Sequence, residues 1–154
     1  MQRRSAVPRS VAHYAAALLA LAVAGWSAPA PAGEVPIFLG AIGVGSAKPE
    51  VGSELRSLLR AELGSPDFVR LKTRERYRLS ATLVRLDSVQ SRDSVTATCV
   101  LSVALLRDGG ATLFAVIHGR ASAEEARERV DEAQRDALRG AVHSAMKRVP
   151  LAVR

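Results

Sequence analysis

The chain has 154 residues, with 22 basic against 15 acidic side chains and a net charge of +7. That length suits one ordinary domain once any leader is removed, and a lone cysteine, Cys99, excludes an intramolecular disulfide. The basic excess is compatible with an acidic partner without demanding one, because a charge of this size also serves solubility.

The first residues read as an export signal. Arg3, Arg4 and Arg9 form a positive region, residues 14–25 (YAAALLALAVAG) form an apolar one, and Ala30-Pro31-Ala32 supplies small residues ahead of Gly33. The apolar run is too short to span a bilayer, which takes roughly 20 residues. Ser5-Ala6-Val7 follows Arg3-Arg4 where a twin-arginine signal carries a bulky apolar residue, so general secretion is expected. Trp26 stands where a lipoprotein signal has its cysteine, so no lipid anchor is expected. Residues 1–32 are thus read as a signal peptide and residues 33–154 as a single domain, periplasmic or secreted. The three leader arginines leave with the signal, reducing the basic excess to four.

Pro36-Ile37-Phe38-Leu39-Gly40-Ala41-Ile42 predicts a first strand buried on both faces. After a glycine-rich loop, Pro49 suits a first helical position. Val51, Leu55, Leu58, Leu59 and Leu63 then recur at helical spacing up to Gly64. Ser65-Pro66-Asp67 breaks the chain, and residues 68–71 predict a short second strand. Arg70, Lys72, Arg74, Arg76 and Arg78 occupy every second position, so in an extended segment they would share one face. That stripe reads first as the charge that protects an edge strand from pairing, and second as a surface for an anionic partner.

A third strand is predicted from Tyr77 to about Asp87. Its neighbour is the most regular segment of the chain: Val95, Ala97, Cys99, Leu101, Val103 and Leu105 alternate with mostly polar residues. Cys99 on that apolar face reads as a small hydrophobe. Asp108-Gly109-Gly110 supplies a turn to a last strand over residues 111–119. A three-residue loop would set Leu105 opposite Leu113, Val103 opposite Ala115 and Leu101 opposite Ile117, with odd residues sharing a face. Ser122-Ala123-Glu124-Glu125 has capping-box spacing, so a helix of roughly 25 residues is expected from there to Pro150. Its charged face would carry the pairs Glu124 with Arg127, Glu125 with Arg129, and Asp131 with Arg135. The order β-α-β-β-β-β-α defines an α+β, two-layer sandwich: a mostly antiparallel sheet with both helices on its odd-residue face.

Candidate chemistry is sparse. Gly40 to Gly45 stands between a strand and a helix with partial Walker A spacing, but Ser46 and Ala47 occupy the positions that need Lys and Ser/Thr. His118 and His143 lack partners at metal-ligand spacing, and no nucleophile elbow is present. No cofactor, metal or catalytic residue is expected, and the chain reads as a non-enzyme. The one surface feature is the set Arg70, Lys72, Arg74, Arg76 and Arg78. Phe68 and Tyr77 are the only aromatics near it, too few for nucleic acid to be an expected partner.

The segments VPIFLGAIG, ELRSLLRAELGSPDFVRL, YRLSATLVRL, LLRDGGATLF and AQRDALRGAVHSAM resemble, in order and apolar pattern, small periplasmic α/β domains of bacterial envelope-assembly proteins. Those families are the amino-terminal domain of the Tol-Pal translocation protein, the curli-assembly lipoprotein and the outer-membrane activators of penicillin-binding proteins. The resemblance implies a protein-interaction role in envelope assembly or regulation, with another envelope protein as partner. Two alternatives are a binder of an anionic envelope polymer through the basic strand and a secreted enzyme with an unrecognised site.

Overall fold

The middle of the chain is built on one long strand whose odd residues are apolar from Val95 to Leu105. In the computed structural model, which describes residues 36–45, 49–73, 75–108 and 112–154, this strand is β3 (Ser94–Arg107). Val95, Ala97, Cys99, Leu101, Val103 and Leu105 are fully buried along it. It lies between β2 (Tyr77–Gln90) and β4 (Leu113–Ala126), antiparallel to both, and β1 (Ile37–Gly43) joins the outside of β2 in parallel. The sheet order is β1-β2-β3-β4. The expected leader, residues 1–32, lies outside the described residues, as do Arg74 and the glycines of the last hairpin turn.

Two helices cover the odd-residue face. In α1 (Pro49–Leu63), Leu55, Leu59 and Leu63 are buried, as the 3.6-residue spacing requires. In α3 (Val130–Met146) the buried side is Ala133, Ala137, Leu138, Ala141, Val142, Ala145 and Met146. Alanine at four of those positions brings the α3 backbone down onto β4. A Cβ on Gly119 would stand 2.0 Å from the Ala141 carbonyl oxygen, and one on Gly140 would stand 2.8 Å from the Ala121 Cβ. The fold is therefore the α+β sandwich expected, with both long helices on one face.

Local details depart from the expectation. Residues 68–71 are not a strand, because Pro66, a favourable first-turn residue, opens a short helix, α2 (Pro66–Val69), that buries Phe68. Among the described residues the sheet accordingly has four strands. Nor is β1 buried on both faces: it is an outer strand on which only Ile37 is fully shielded.

The last hairpin keeps the expected parity but pairs two residues further on, with Leu105 opposite Ala115, Val103 opposite Ile117 and Leu101 opposite Gly119. A bulge between Leu105 and Leu106 accommodates the extra residue. This register carries β4 to Ala126, so Ser122-Ala123-Glu124-Glu125 is strand instead of capping box. Ser122 pairs with Thr98, their hydroxyls 2.9 Å apart.

The final helix is shorter for the same reason. It ends at Met146, and Pro150 sits in the first turn of a separate short helix, α4 (Val149–Ala152). Arg129 still pairs with Glu125 at 3.8 Å, whereas Arg135 pairs with Glu54 on α1 at 3.9 Å instead of with Asp131.

Candidate interaction surface

The basic residues singled out from the sequence do not form one stripe. Arg70 closes α2, Lys72 lies in irregular chain, Arg76 precedes β2, and Arg78 lies within it. Arg70 and Lys72 border a shallow depression with Asp67, Leu71 and Arg154. Of those among the described residues, Arg76 and Arg78 converge: their guanidinium groups sit 5.9 and 5.5 Å from the Phe38 ring centroid, and 3.8 and 3.9 Å from the Asp108 carboxylate.

A third arginine, not singled out from the sequence, joins this end of the sheet because Arg107 pairs with Tyr77 across β2 and β3. Arg107 binds Glu75 at 2.9 Å, and the Tyr77 hydroxyl donates to the same carboxylate at 3.0 Å. Burial, followed by the Glu75 hydrogen bond, pushes the Tyr77 hydroxyl above its ordinary pKa. The bulge in β4 turns Phe114 to this cluster, 5.0 Å from the Tyr77 ring and 5.2 Å from Arg107. Phe114 therefore packs against the core and does not continue the row of Val116 and His118. Glu75 and Asp108 largely offset the three arginines. Exposed ion pairs of this kind are each worth up to about 1 kcal/mol.

The even-residue face of the sheet has no helix over it among the described residues. Register places Ser80, Ala104 and Val116 in one row, Thr82, Ser102 and His118 in the next, then Arg85, Val100 and Arg120, then Asp87, Thr98 and Ser122. Serine and threonine hydroxyls, charged residues and small apolar residues share this face, and Val116 and Val89 are exposed on it. His118 stands in it beside Ser102, and His143 lies on α3 with its Nδ1 3.1 Å from Glu62 on α1. Cys99 is fully buried on the opposite face, and burial pushes its thiol up to about 11. Among the described residues no three His, Cys, Asp or Glu side chains are grouped to hold a metal ion. The Gly43-Val44-Gly45 stretch makes one left-handed turn at Gly45, and residues 46–48 lie outside the described residues.

One edge of the sheet is incomplete. β1 pairs with β2 only as far as Gly43 opposite Thr82, whereas β2 continues to Gln90. Along the outer side of β2 beyond Thr82 runs a groove of about 450 Å³ lined by Val44, Gly45 and residues 83–87. Leu86 is shared with a smaller cleft of about 110 Å³ between α1 and α3. Its other walls are Glu50, Val51, Glu54, Asp131, Gln134, Arg135 and Leu138. Gln134 donates to the Ser88 hydroxyl at 2.8 Å and so ties α3 to this part of β2.

No family model matches the chain, and no curated protein matches it. Its fold is found among solved structures. A DUF330 protein from Xanthomonas campestris is 15% identical over 75% of this chain and 84% of its own, with a TM-score of 0.51. A minor lipoprotein from Acinetobacter baumannii is 10% identical over 77% of this chain and 92% of its own, with a TM-score of 0.46. Among the described residues no helix is long and apolar enough to cross a membrane.

Proposed function

We propose that this chain is an exported, non-enzymatic domain of the bacterial envelope that mediates protein interaction during envelope assembly or its regulation. The observation that carries the reading is the sheet's second face, which has no helical layer among the described residues and is punctuated by exposed Val89 and Val116. A two-layer fold with one uncovered side offers a rigid platform to a partner. The leader pattern of residues 1–32 and the resemblance to envelope-assembly domains support the same role.

A photo-crosslinking amino acid placed at Ser102 or Val116, on the uncovered face, should give a discrete adduct of one mass in intact cells. The same group at Arg139, on the solvent side of α3, should give none. No adduct at either sheet position, or equal adducts at all three, would overturn the reading.

The anionic-polymer alternative draws on Arg70, Lys72, Arg74, Arg76 and Arg78, of which Arg76 and Arg78 share the single Asp108 carboxylate.

A further inference from the structure

We infer that the unpaired outer edge of β2, residues 83–90, is a strand-addition site for an extended segment of a partner protein, with a basic side chain of that segment entering the cleft behind Leu86. The inference rests on the interaction role proposed above and assigns it a second, specific surface.

A strand at a sheet edge presents a row of backbone N–H and C=O groups, and natural folds shield such rows with charge, bulges or cover. The far edge, β4, is shielded in this way, since His118, Arg120 and Glu124 are exposed along it. The free half of β2 has one such device, a bulge at Val84 between Leu83 and Arg85, and carries no net charge. Its two charged residues, Arg85 and Asp87, pair with each other, and Val84 and Val89 are 60% and 70% exposed. Among the described residues nothing pairs with this edge once β1 has ended.

The groove beside the edge follows the path that β1 would have taken had it continued. An added strand there gains main-chain hydrogen bonds, and alternate side chains point to opposite faces of the sheet. On the helix-covered face one such side chain meets the cleft at Leu86, whose partner across β3 is the buried Cys99.

The cleft sets the chemistry of that side chain. Its base, Val51, Leu86 and Leu138, is apolar, and three carboxylates, Glu50, Glu54 and Asp131, stand around it. Arg135 reaches Glu54 at 3.9 Å. The carboxylates of Glu50 and Asp131 have no cation within ion-pair distance among the described residues. A lysine or arginine has the matching form: an apolar stem to lie on the leucines and a charged head for the two carboxylates. The partner segment is therefore an alternating apolar and polar strand with one central basic residue.

The test uses the whole chain and short synthetic peptides that alternate valine and threonine around a central lysine, glutamate or alanine. Binding is followed by calorimetry and by backbone amide shifts of residues 83–90. The lysine peptide should bind and move those amides, and the glutamate peptide should bind at least about tenfold more weakly. Methylating alternate backbone nitrogens of the lysine peptide should abolish binding. Glu50→Gln with Asp131→Asn should weaken the lysine peptide about tenfold and leave the alanine peptide unchanged.

Absence of binding, equal binding of the lysine and glutamate peptides, or full binding by the methylated peptide would each overturn the proposal. So would self-association of the chain, seen by sedimentation, that the lysine peptide disperses, since the occupant would then be a second copy. Crosslinks from Ser102 and Val116 that persist when the peptides fail would leave the broader interaction role standing.

Discussion

Replacing Gly119 by alanine tests how the helical layer is held on the sheet. Gly119 lies in β4 opposite Leu101, under α3, and its backbone is outside the left-handed region. An added Cβ would stand 2.0 Å from the Ala141 carbonyl oxygen and 2.9 Å from the Ala145 Cβ. Neither obstacle is the end of a flexible side chain, so α3 itself must retreat by roughly 1 Å to restore contact distance in a close-packed interior.

That retreat opens the seam in which Ala137, Ala141 and Ala145 are fully buried. Overpacking costs about 1–3 kcal/mol, and with helix backbone in the way the upper value applies. Restricting the unfolded chain returns about 0.4–1 kcal/mol, which leaves a net loss of about 2 kcal/mol. With a urea dependence of about 1–3 kcal/mol per molar, the unfolding midpoint should fall by about 1 M. Gly140→Ala is the control. Its added Cβ meets only the Ala121 Cβ, at 2.8 Å, so combining it with Ala121→Gly should recover the parent midpoint or exceed it, whereas no single trimming of a side chain rescues Gly119→Ala. A midpoint for Gly119→Ala equal to or above the parent's would refute the close-approach reasoning.

Cys99 should make stability fall in alkali. The native thiol titrates at about 11 against 9.0 in the unfolded chain, so below pH 9 both states hold the proton and no dependence arises. Between pH 9 and 11 only the unfolded state loses it, which costs about 2–3 kcal/mol by pH 11. Urea midpoints across that range should show the loss in the parent and a smaller loss in Cys99→Ala, where the raised Tyr77 hydroxyl still contributes in the same direction. The native thiol should also resist iodoacetamide at pH 8. Finally, Arg76→Glu with Arg78→Glu should lower the salt needed for elution from heparin no more than Arg139→Glu with Arg148→Glu does. A markedly larger drop would favour the anionic-polymer reading.

The core was legible because every odd residue of β3 from Val95 to Leu105 is apolar, and a period of two on a half-covered sheet leaves each of them one place to go. Helix α1 was legible for the corresponding reason at a period of 3.6. What the sequence concealed were choices between local signals of equal strength. Ser122 and Glu125 have capping-box spacing, but the run Ala121, Ala123 and Glu125 also alternates with exposed residues, and pairing with β3 decided for strand. Pro66 could end one segment or begin a helix, and the burial of Phe68 decided for helix, which broke the run of arginines at every second position. The hairpin parity followed from keeping apolar residues on one face, whereas the two-residue offset depends on a bulge that no single residue specifies. Arg107 could have been added to Arg76 and Arg78 from the strand register alone. The cleft around Leu86 could not, since its walls come from α1, β2 and α3.

The lengths of the strands explain why the proposed binding surface lies where it does. β2, β3 and β4 each run for 14 residues, but β1 runs for only 7. The sheet is therefore four strands wide at the end that holds Phe38 and Arg78, and three strands wide at the end that holds Val89 and Glu125. α3 begins at the narrow end, and its first turns, with Asp131 and Gln134, stand beside the part of β2 that β1 does not reach. Lengthening β1 would remove the free edge and close the approach to Glu50 and Asp131 together. The short strand and the Glu50 and Asp131 carboxylates, which have no ion-pair partner among the described residues, thus define one surface, and a partner that supplies both a backbone edge and a positive charge is the chemistry that completes it.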